Sequence, residues 1–259
     1  MIRAFFSAIA FLTVIPVPDA LKSRSANGMF AGYPPAGILI GALFSVVFFA
    51  AGLLFPGLVA AVILVAFSLL LTGAIHLDGL ADCADAFYGR RDRDTTLRIL
   101  KDPRIGTMGG AAIGLSLLAR TASLASLPSG LLILGLPVMT LFSRSAVLVA
   151  MRVLPYVRSD SGILPARSAL STPVFVLSLG ALLVSFALLP IPTLAALLSL
   201  AMFWRLSWKR IGGCTGDVLG ATIEIAEIVF LLALVALRRA PVEWTTRGSL
   251  LGILFPGAL

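Results

Sequence analysis

Residues 36–75 read AGILIGALFSVVFFAAGLLFPGLVAAVILVAFSLLLTGAI and contain no charged side chain. An α-helix rises about 1.5 Å per residue, so about 20 apolar residues are needed to cross a hydrocarbon core about 30 Å thick. The stretch is roughly twice that long, and Pro56-Gly57 places a turn signal near its middle. It therefore predicts two transmembrane helices joined by a tight turn.

The rest of the chain repeats this pattern, because further apolar stretches alternate with polar connections. A backbone in lipid must satisfy its own hydrogen bonds, which makes these stretches helices. We predict an all-α, polytopic integral membrane helical bundle of about six to seven transmembrane helices, forming a single domain over residues 1–259. The apolar stretches are residues 36–54, 58–75, 105–127, 131–150, 173–189, 193–208 and 218–237.

The composition excludes other classes of protein. Of the 259 residues, 59% are hydrophobic and 12% are charged, whereas a soluble domain is about 45–50% apolar and about 25% charged. An intrinsically disordered chain would instead have low hydrophobicity and a high charge content. The net charge of +8 has no nucleic-acid-binding signature beside it, so the lipid bilayer and not a nucleic acid is the predicted partner. The segment 4–14 lacks a small-residue cleavage site, and we interpret it as an interfacial or partly inserted helix.

Among the connections between the apolar stretches, Lys and Arg occur in one set only. The turns at 56–57, 128–130 and 190–192 contain neither residue, whereas the connections between them are strongly basic. Cytoplasmic loops carry an excess of Lys and Arg, so we predict short non-cytoplasmic turns, longer basic cytoplasmic loops and helices paired in three hairpins. The last stretch breaks the pattern, because it would carry Arg238 and Arg239 to the far side. A re-entrant or interfacial path, or a return through residues 250–259, would each resolve this.

Half of the acidic residues lie between residues 76 and 110. Asp78, Asp82 and Asp85 are spaced i, i+4, i+7 and share one helical face, where like charges repel. A divalent cation removes this conflict, and Mg²⁺ prefers a few carboxylates together with substrate phosphates. The alternative is a solvated loop whose carboxylates pair with nearby arginines. Asp102 is either a turn residue or a further ligand, and His76, the only histidine, is either structural or functional.

A second polar cluster, GGCTGDVLG, occupies residues 212–220 and precedes Glu224 and Glu227. Glycines allow close backbone approach, and amides at a helix N-terminus favour anions. Acidic residues inside an apolar helix are costly and functional by default, although Asp217 alone would also suit the helix dipole. Intramembrane arginines pair with carboxylates or bind anions; we assign phosphate contact to Arg144, while Arg120 could equally snorkel to the interface.

Two acidic, glycine-flanked clusters at the cytoplasmic boundary predict a Mg²⁺-dependent membrane transferase that acts on a diphosphate, and the absence of a Walker A sequence disfavours an ATPase. The chain also resembles the cobalamin synthase family, the adenosylcobinamide-GDP ribazoletransferases. The resemblance rests on HLDGLAD at 76–82 and GGCTGDVLGA at 212–221, with shorter motifs in family order along nearly the whole chain. It is weakest at 158–164, where RSDSGIL replaces a Gly-Leu-Gly-like turn.

The resemblance implies a bacterial inner-membrane enzyme with a cytoplasmic active site, which joins adenosylcobinamide-GDP to α-ribazole or its 5′-phosphate, requires Mg²⁺ and releases GMP. Association with other cobalamin-assembly enzymes and homo-oligomerisation stay open. On these motifs we assign catalysis to His76 and Asp82, and the metal to Asp78, Asp82, Asp85 and Asp102. The residues assigned to substrate are Arg104, Arg144, Gly213, Thr215, Asp217, Glu224 and Glu227.

Two alternative functions are also compatible with the sequence. CDP-alcohol phosphotransferases and intramembrane prenyltransferases also use Asp-rich helices, although the Ala-Arg pairing of the former is missing after Asp78. A transporter coupled through intramembrane carboxylates would place them near the bilayer midplane, whereas most lie at the predicted cytoplasmic edge.

Overall fold

The structure is a computed structural model, and it describes residues 1–23, 25–89, 91–157 and 170–239. Within these residues the regular structure is helical, apart from an isolated bridge between Tyr156 and Cys214. The α-helices are α1 (Ile2–Leu12), α2 (Ala26–Phe30), α3 (Tyr33–Gly52), α4 (Gly57–Thr72), α5 (Ile75–Phe87), α6 (Arg93–Ile99), α7 (Thr107–Ser126), α8 (Ser129–Val153), α9 (Thr172–Leu188), α10 (Pro190–Ile211) and α11 (Gly216–Arg239).

Five of the described helices, α3, α7, α8, α10 and α11, are long and apolar enough to cross a membrane, and α4 with α5 adds a sixth span if the bent pair counts as one. This confirms the predicted all-α, polytopic membrane bundle. Helix α9 has 17 residues and α1 has 11, so both fall short of the length of a straight span. The stretch at 218–237 forms the single helix α11, while residues 250–259 lie outside the described part of the chain.

The second predicted span, 58–75, ends earlier than expected. Helix α4 stops at Thr72, and α5 leaves at 90° to it. Gly73 and Ala74 make the corner, and both have left-handed backbone conformations, with φ of 61° and 56°. Glycine adopts this conformation freely, whereas an alanine there is strained. The Asp-rich motif therefore occupies a separate helix and is not a continuation of the span.

Close helix contacts form where glycines remove a side chain. A Cβ atom on Gly37 would lie 2.6 Å from the carbonyl oxygen of Thr140, and one on Gly41 would lie 2.5 Å from the Cα atom of Pro137. Helices α3 and α8 thus pack backbone to backbone, which a pair of small residues four positions apart allows. Gly79 brings α5 equally close to α11, since its Cβ would lie 2.6 Å from the Asp217 carbonyl oxygen.

The predicted hairpins form in part. Helices α3 and α4 pack together, as do α9 and α10. The predicted pairing of α7 with α8 is wrong. Helix α7 packs against α4, α5 and α11, whereas α8 packs mainly against α3, α9 and α11. Helix α11 packs against both α7 and α8 and so connects these two helices.

Candidate active site

The first turns of α5 and α11 lie side by side and line an open cavity. A Cβ atom on Gly220 would lie 3.1 Å from the Ile75 carbonyl oxygen, so the two helix N-termini are in contact. The cavity beside them has a volume of about 240 Å³. The two acidic motifs of the sequence therefore meet at one place. The polar lining includes His76, Asp78, Asp217 and the aromatic but hydroxyl-bearing Tyr33, and the apolar lining includes Phe11 and Met151.

The two carboxylates of the cavity sit in the first turns of their helices, where the positive end of the helix dipole stabilises negative charge. Asp78 is exposed, and Asp217 is half-buried. The Thr215 hydroxyl donates to Asp217 Oδ2 at 3.1 Å and also accepts from the Val218 amide at 3.4 Å. Thr215 thus caps α11 and orients Asp217, which is a structural basis for its place in the motif.

Four ionisable side chains are buried beside this site, and together we call them the charge network: Arg120 of α7, Arg144 of α8, and Glu224 and Glu227 of α11. Each side chain is at most 7% exposed. Arg120 Nη1 donates to Glu224 Oε1 at 2.9 Å, and Arg120 Nη2 lies 3.5 Å from Glu227 Oε2. Arg144 Nη1 donates to Glu227 Oε1. Two positive and two negative charges therefore balance.

Hydroxyl groups from three helices complete the charge network. Ser116 of α7 donates to Glu224 Oε1 at 2.6 Å, and Ser143 of α8 donates to Glu227 Oε1 at 3.2 Å. Ser68 of α4 accepts from Arg120 Nη2 at 3.1 Å. Buried charges are tolerated when they are both paired and hydrogen-bonded, and these satisfy the two conditions.

The charge network changes the interpretation of several residues. Snorkelling of Arg120 is wrong, because its side chain is buried and paired with Glu224. Of the residues that we assigned to substrate, Arg144 binds Glu227 and Glu224 binds Arg120, and none of these side chains lines the open cavity. A second cavity, of about 10 Å³, borders all four charges, and His76 lines both cavities.

The remaining acidic candidates are engaged elsewhere. Asp85 caps α7, because its Oδ2 accepts from the Gly106 amide at 2.7 Å and its Oδ1 from the Gly109 amide at 2.9 Å. Asp82 is half-buried one turn from Asp78 and does not line the cavity. The three carboxylates are therefore spaced i, i+4, i+7 along α5, but only Asp78 lines the cavity, and Asp85 binds the N-terminus of α7.

Asp102 and Arg104 pair with each other. Arg104 Nε donates to Asp102 Oδ1 at 2.9 Å, and Arg104 Nη2 donates to Oδ2 at 2.6 Å. The hydrogen bonds from Arg104 lower the pKa of the Asp102 carboxyl to about 2. Neither residue lines the cavity, so the structure does not bring them to the other predicted site residues.

Gly213 has a packing role. A Cβ atom there would overlap the Pro155 carbonyl oxygen, which also accepts from the Cys214 amide at 2.8 Å. The Val157 amide in turn donates to the Cys214 carbonyl at 3.0 Å. The glycine-rich turn before α11 is thus fixed to the segment that follows α8, and only a residue without a side chain fits at this approach.

The described residues hold no group of three or more His, Cys, Asp or Glu side chains close enough to bind a metal ion alone. Mg²⁺ usually keeps several waters and is bound through one or two carboxylates and the phosphates of a substrate. Asp78 and Asp217 supply two carboxylates to the lining of one cavity. The site therefore fits a cation that is shared with a phosphorylated substrate, and not one enclosed by protein ligands.

Fold and cavity together define a polytopic helical membrane protein whose two acidic motifs form one site. Residues 4–235 match the family model described as cobalamin-5-phosphate synthase. The chain belongs to this family of enzymes, which confirms the resemblance found in the sequence. No solved structure matches it.

Several relatives align over nearly their whole length. A protein of Sinorhizobium medicae named adenosylcobinamide-GDP ribazoletransferase is 38% identical over 247 residues, covering 88% of this chain and 94% of the relative. One of Klebsiella pneumoniae with the same name is 35% identical over 251 residues, covering 90% and 100%. One of Vibrio parahaemolyticus is 34% identical over 245 residues, covering 90% and 91%.

Proposed function

We propose that this chain transfers the adenosylcobinamide phosphate group from adenosylcobinamide-GDP to α-ribazole or its 5′-phosphate, which is the closing step of cobalamin assembly. The name of the relatives supports these substrates, because the alignment spans most of both chains. The observation that carries the proposal is the convergence of the 76–82 and 212–221 motifs on one cavity. A transporter gains no support, since the deeply buried carboxylates are paired with arginines.

The proposed reaction forms one oxygen–phosphorus bond and breaks another. The ribose 3′-hydroxyl of ribazole attacks the cobinamide-side phosphorus, the bond from this phosphorus to the bridging oxygen breaks, and GMP leaves with that oxygen. The hydroxyl proton must go to a base in the cavity. Besides the two carboxylates, the titratable side chains that line the cavity are His76 and Tyr33. We assign the proton to the His76 ring, because a neutral imidazole accepts a proton far more readily than a phenol.

Asp78 and Asp217 would hold Mg²⁺ in this site together with the diphosphate. The ion would neutralise charge on the phosphoryl oxygens and the leaving group. Asp85 and Asp102 are left out of the proposed metal site, because their carboxylates bind the α7 N-terminus and Arg104. The apolar side of the cavity, with Phe11 and Met151, would receive an apolar part of a substrate.

The site would face the cytoplasm. Arg91 donates to the Asp85 carbonyl at 2.6 Å and Arg93 to the Ile211 carbonyl at 3.0 Å, so basic side chains bind the end of α5 and the end of α10. The turns at 56–57, 128–130 and 190–192 contain no Lys or Arg. This asymmetry supports a cytoplasmic position for the basic end under the positive-inside rule.

The test is GMP release from adenosylcobinamide-GDP and α-ribazole by detergent-purified protein, with and without Mg²⁺. We expect Mg²⁺-dependent release that falls by two or more orders of magnitude, roughly, in Asp78→Asn and Asp217→Asn. Asp94→Asn is the matched control, because Asp94 is 92% exposed on α6 and should change nothing. A folded wild type without turnover would refute the function, and full activity in both cavity variants would refute the metal site.

A further inference from the structure

We propose that the charge network is a positioning device: it fixes His76 and the first turn of α11 at the cavity without touching substrate. The role rests on the proposed function, because positioning matters only if the cavity is the reaction site. It assigns a task to Arg120, which the sequence left open, and moves Arg144, Glu224 and Glu227 from substrate contact to support.

Substrate cannot reach the charge network, and this is the first step of the inference. The cavity that borders the four charges has a volume of about 10 Å³, which is room for one water molecule at most. A phosphate group is several times larger. The four side chains are also at most 7% exposed. Any effect of these residues on the reaction must therefore pass through the protein.

The charge network joins α8 and α11, which line the cavity, to α7 and α4, which do not. Its members come from α7, α8 and α11, and its hydroxyl partner Ser68 comes from α4. The charges balance, so each removal leaves an opposite charge buried without compensation, which is strongly unfavourable. The Nε atoms of Arg120 and Arg144 have no hydrogen-bond partner in the described part of the chain.

Two connections lead from the charge network to the cavity. His76 is 6% exposed and lines both the small cavity and the open one. It is therefore next to the charge network as well as to the site. Glu224 lies seven residues after Asp217 on α11, which is two helical turns along the same face. Holding Glu224 against Arg120 therefore sets the register of α11 and the place of Asp217.

His76 provides a direct spectroscopic test, because it is the only histidine in the chain. Protein labelled with ¹⁵N-histidine gives the ring signals of this residue alone. We expect Glu224→Gln and Arg120→Met, compared at one fixed pH, each to shift these signals. Thr222→Val is the matched control: Thr222 is buried on α11 two residues from Glu224, but it bonds Trp204 and not the charge network. Unchanged His76 signals in both network variants would overturn the proposal without reference to any activity.

The second measurement separates positioning from plain structural support. We expect Glu224→Gln to lower the thermal midpoint and Arg120→Met with Glu224→Gln to recover most of that loss, because the double variant is again charge-balanced. If the network positions the site, kcat stays reduced by about tenfold or more in the stable double variant, while KM for both substrates changes less than about threefold.

Three results of the kinetic measurement count against the proposal. Recovery of both stability and kcat in the double variant would show a purely structural pair. A raised KM with unchanged stability would show that Glu224 touches substrate. Wild-type protein without turnover would remove the proposed function, and with it the positioning role, even if the His76 signals respond to the network variants.

Discussion

A methyl group added at Gly79 tests the contact that brings the two acidic motifs together. In Gly79→Ala the new Cβ would lie 2.6 Å from the Asp217 carbonyl oxygen and 3.1 Å from the Asp217 Cα atom. Ordinary contact begins near 3.4 Å, so α5 and α11 would have to separate by about 0.8 Å. Every atom in the way belongs to the backbone of α11, which leaves no flexible side chain to yield.

The cost follows from this separation. Overpacking of a close contact costs about 1–3 kcal/mol of folding stability. A misplacement of about 1 Å between catalytic groups costs about a hundredfold in rate. We therefore expect Gly79→Ala to fold with a lowered midpoint and to lose about tenfold to a hundredfold of kcat, because Asp78 and Asp217 move apart.

The assay pairs thermal unfolding of the detergent-purified protein with GMP release at saturating substrate. Gly114→Ala on α7 is the control, since a Cβ there meets no atom within 4 Å. Its folding stability should equal that of the wild type or exceed it by roughly 0.5–1 kcal/mol through helix propensity. Wild-type stability and turnover in Gly79→Ala would refute the reasoning. Loss of stability with full turnover would keep the packing argument and reject the link to the site.

Three further predictions concern groups outside the cavity. Asp85→Ala should lower stability by about 0.5–2 kcal/mol through loss of the α7 cap and leave the Mg²⁺ dependence of turnover unchanged; a shifted Mg²⁺ requirement at unchanged stability would instead make Asp85 a ligand. Arg104→Met should return the pKa of Asp102 from about 2 towards 3.8. Because the folded pKa is depressed, the pair stabilises the protein above pH 3.8 and loses this contribution as the pH falls towards 2; ¹³C-aspartate NMR of both proteins would show no difference if the pair is absent in solution. Ala74→Val should destabilise the protein by roughly 1–2 kcal/mol, since a β-branched residue tolerates positive φ poorly, whereas Ala74→Gly should be close to neutral; equal stability of the two variants would contradict the left-handed corner.

Most of the spans and the small-residue face of α3 could be predicted from the sequence. Apolar length decides whether a helix crosses a bilayer, and this property is local. The Gly37–Gly41 spacing likewise places two small residues on one face before any partner is known. The contact between 76–82 and 212–221 needed the structure, because nothing in either motif shows which distant helix it will meet.

The corner at Gly73 and the roles of single acidic residues could not be predicted in this way. Residues 71–74, Leu-Thr-Gly-Ala, continue an apolar run. Hydropathy alone therefore gives no sign of the 90° bend between α4 and α5. Asp85 looked like its neighbours on α5, but its partners are the amides of Gly106 and Gly109, more than 20 positions later. From the sequence, Arg120 suited either pairing with a carboxylate or snorkelling to the interface, and only the position of Glu224 decides between the two.

The charge network also constrains how the protein is made. Helices α7 and α8 leave the ribosome before α11, so Arg120 and Arg144 enter the bilayer while their glutamate partners are still unsynthesised. An arginine at the centre of a membrane helix costs about 2.5–3.5 kcal/mol on insertion scales. The unfinished bundle therefore carries two uncompensated positive charges until α11 arrives with Glu224 and Glu227. Insertion of α11 is therefore the step that neutralises the buried arginines.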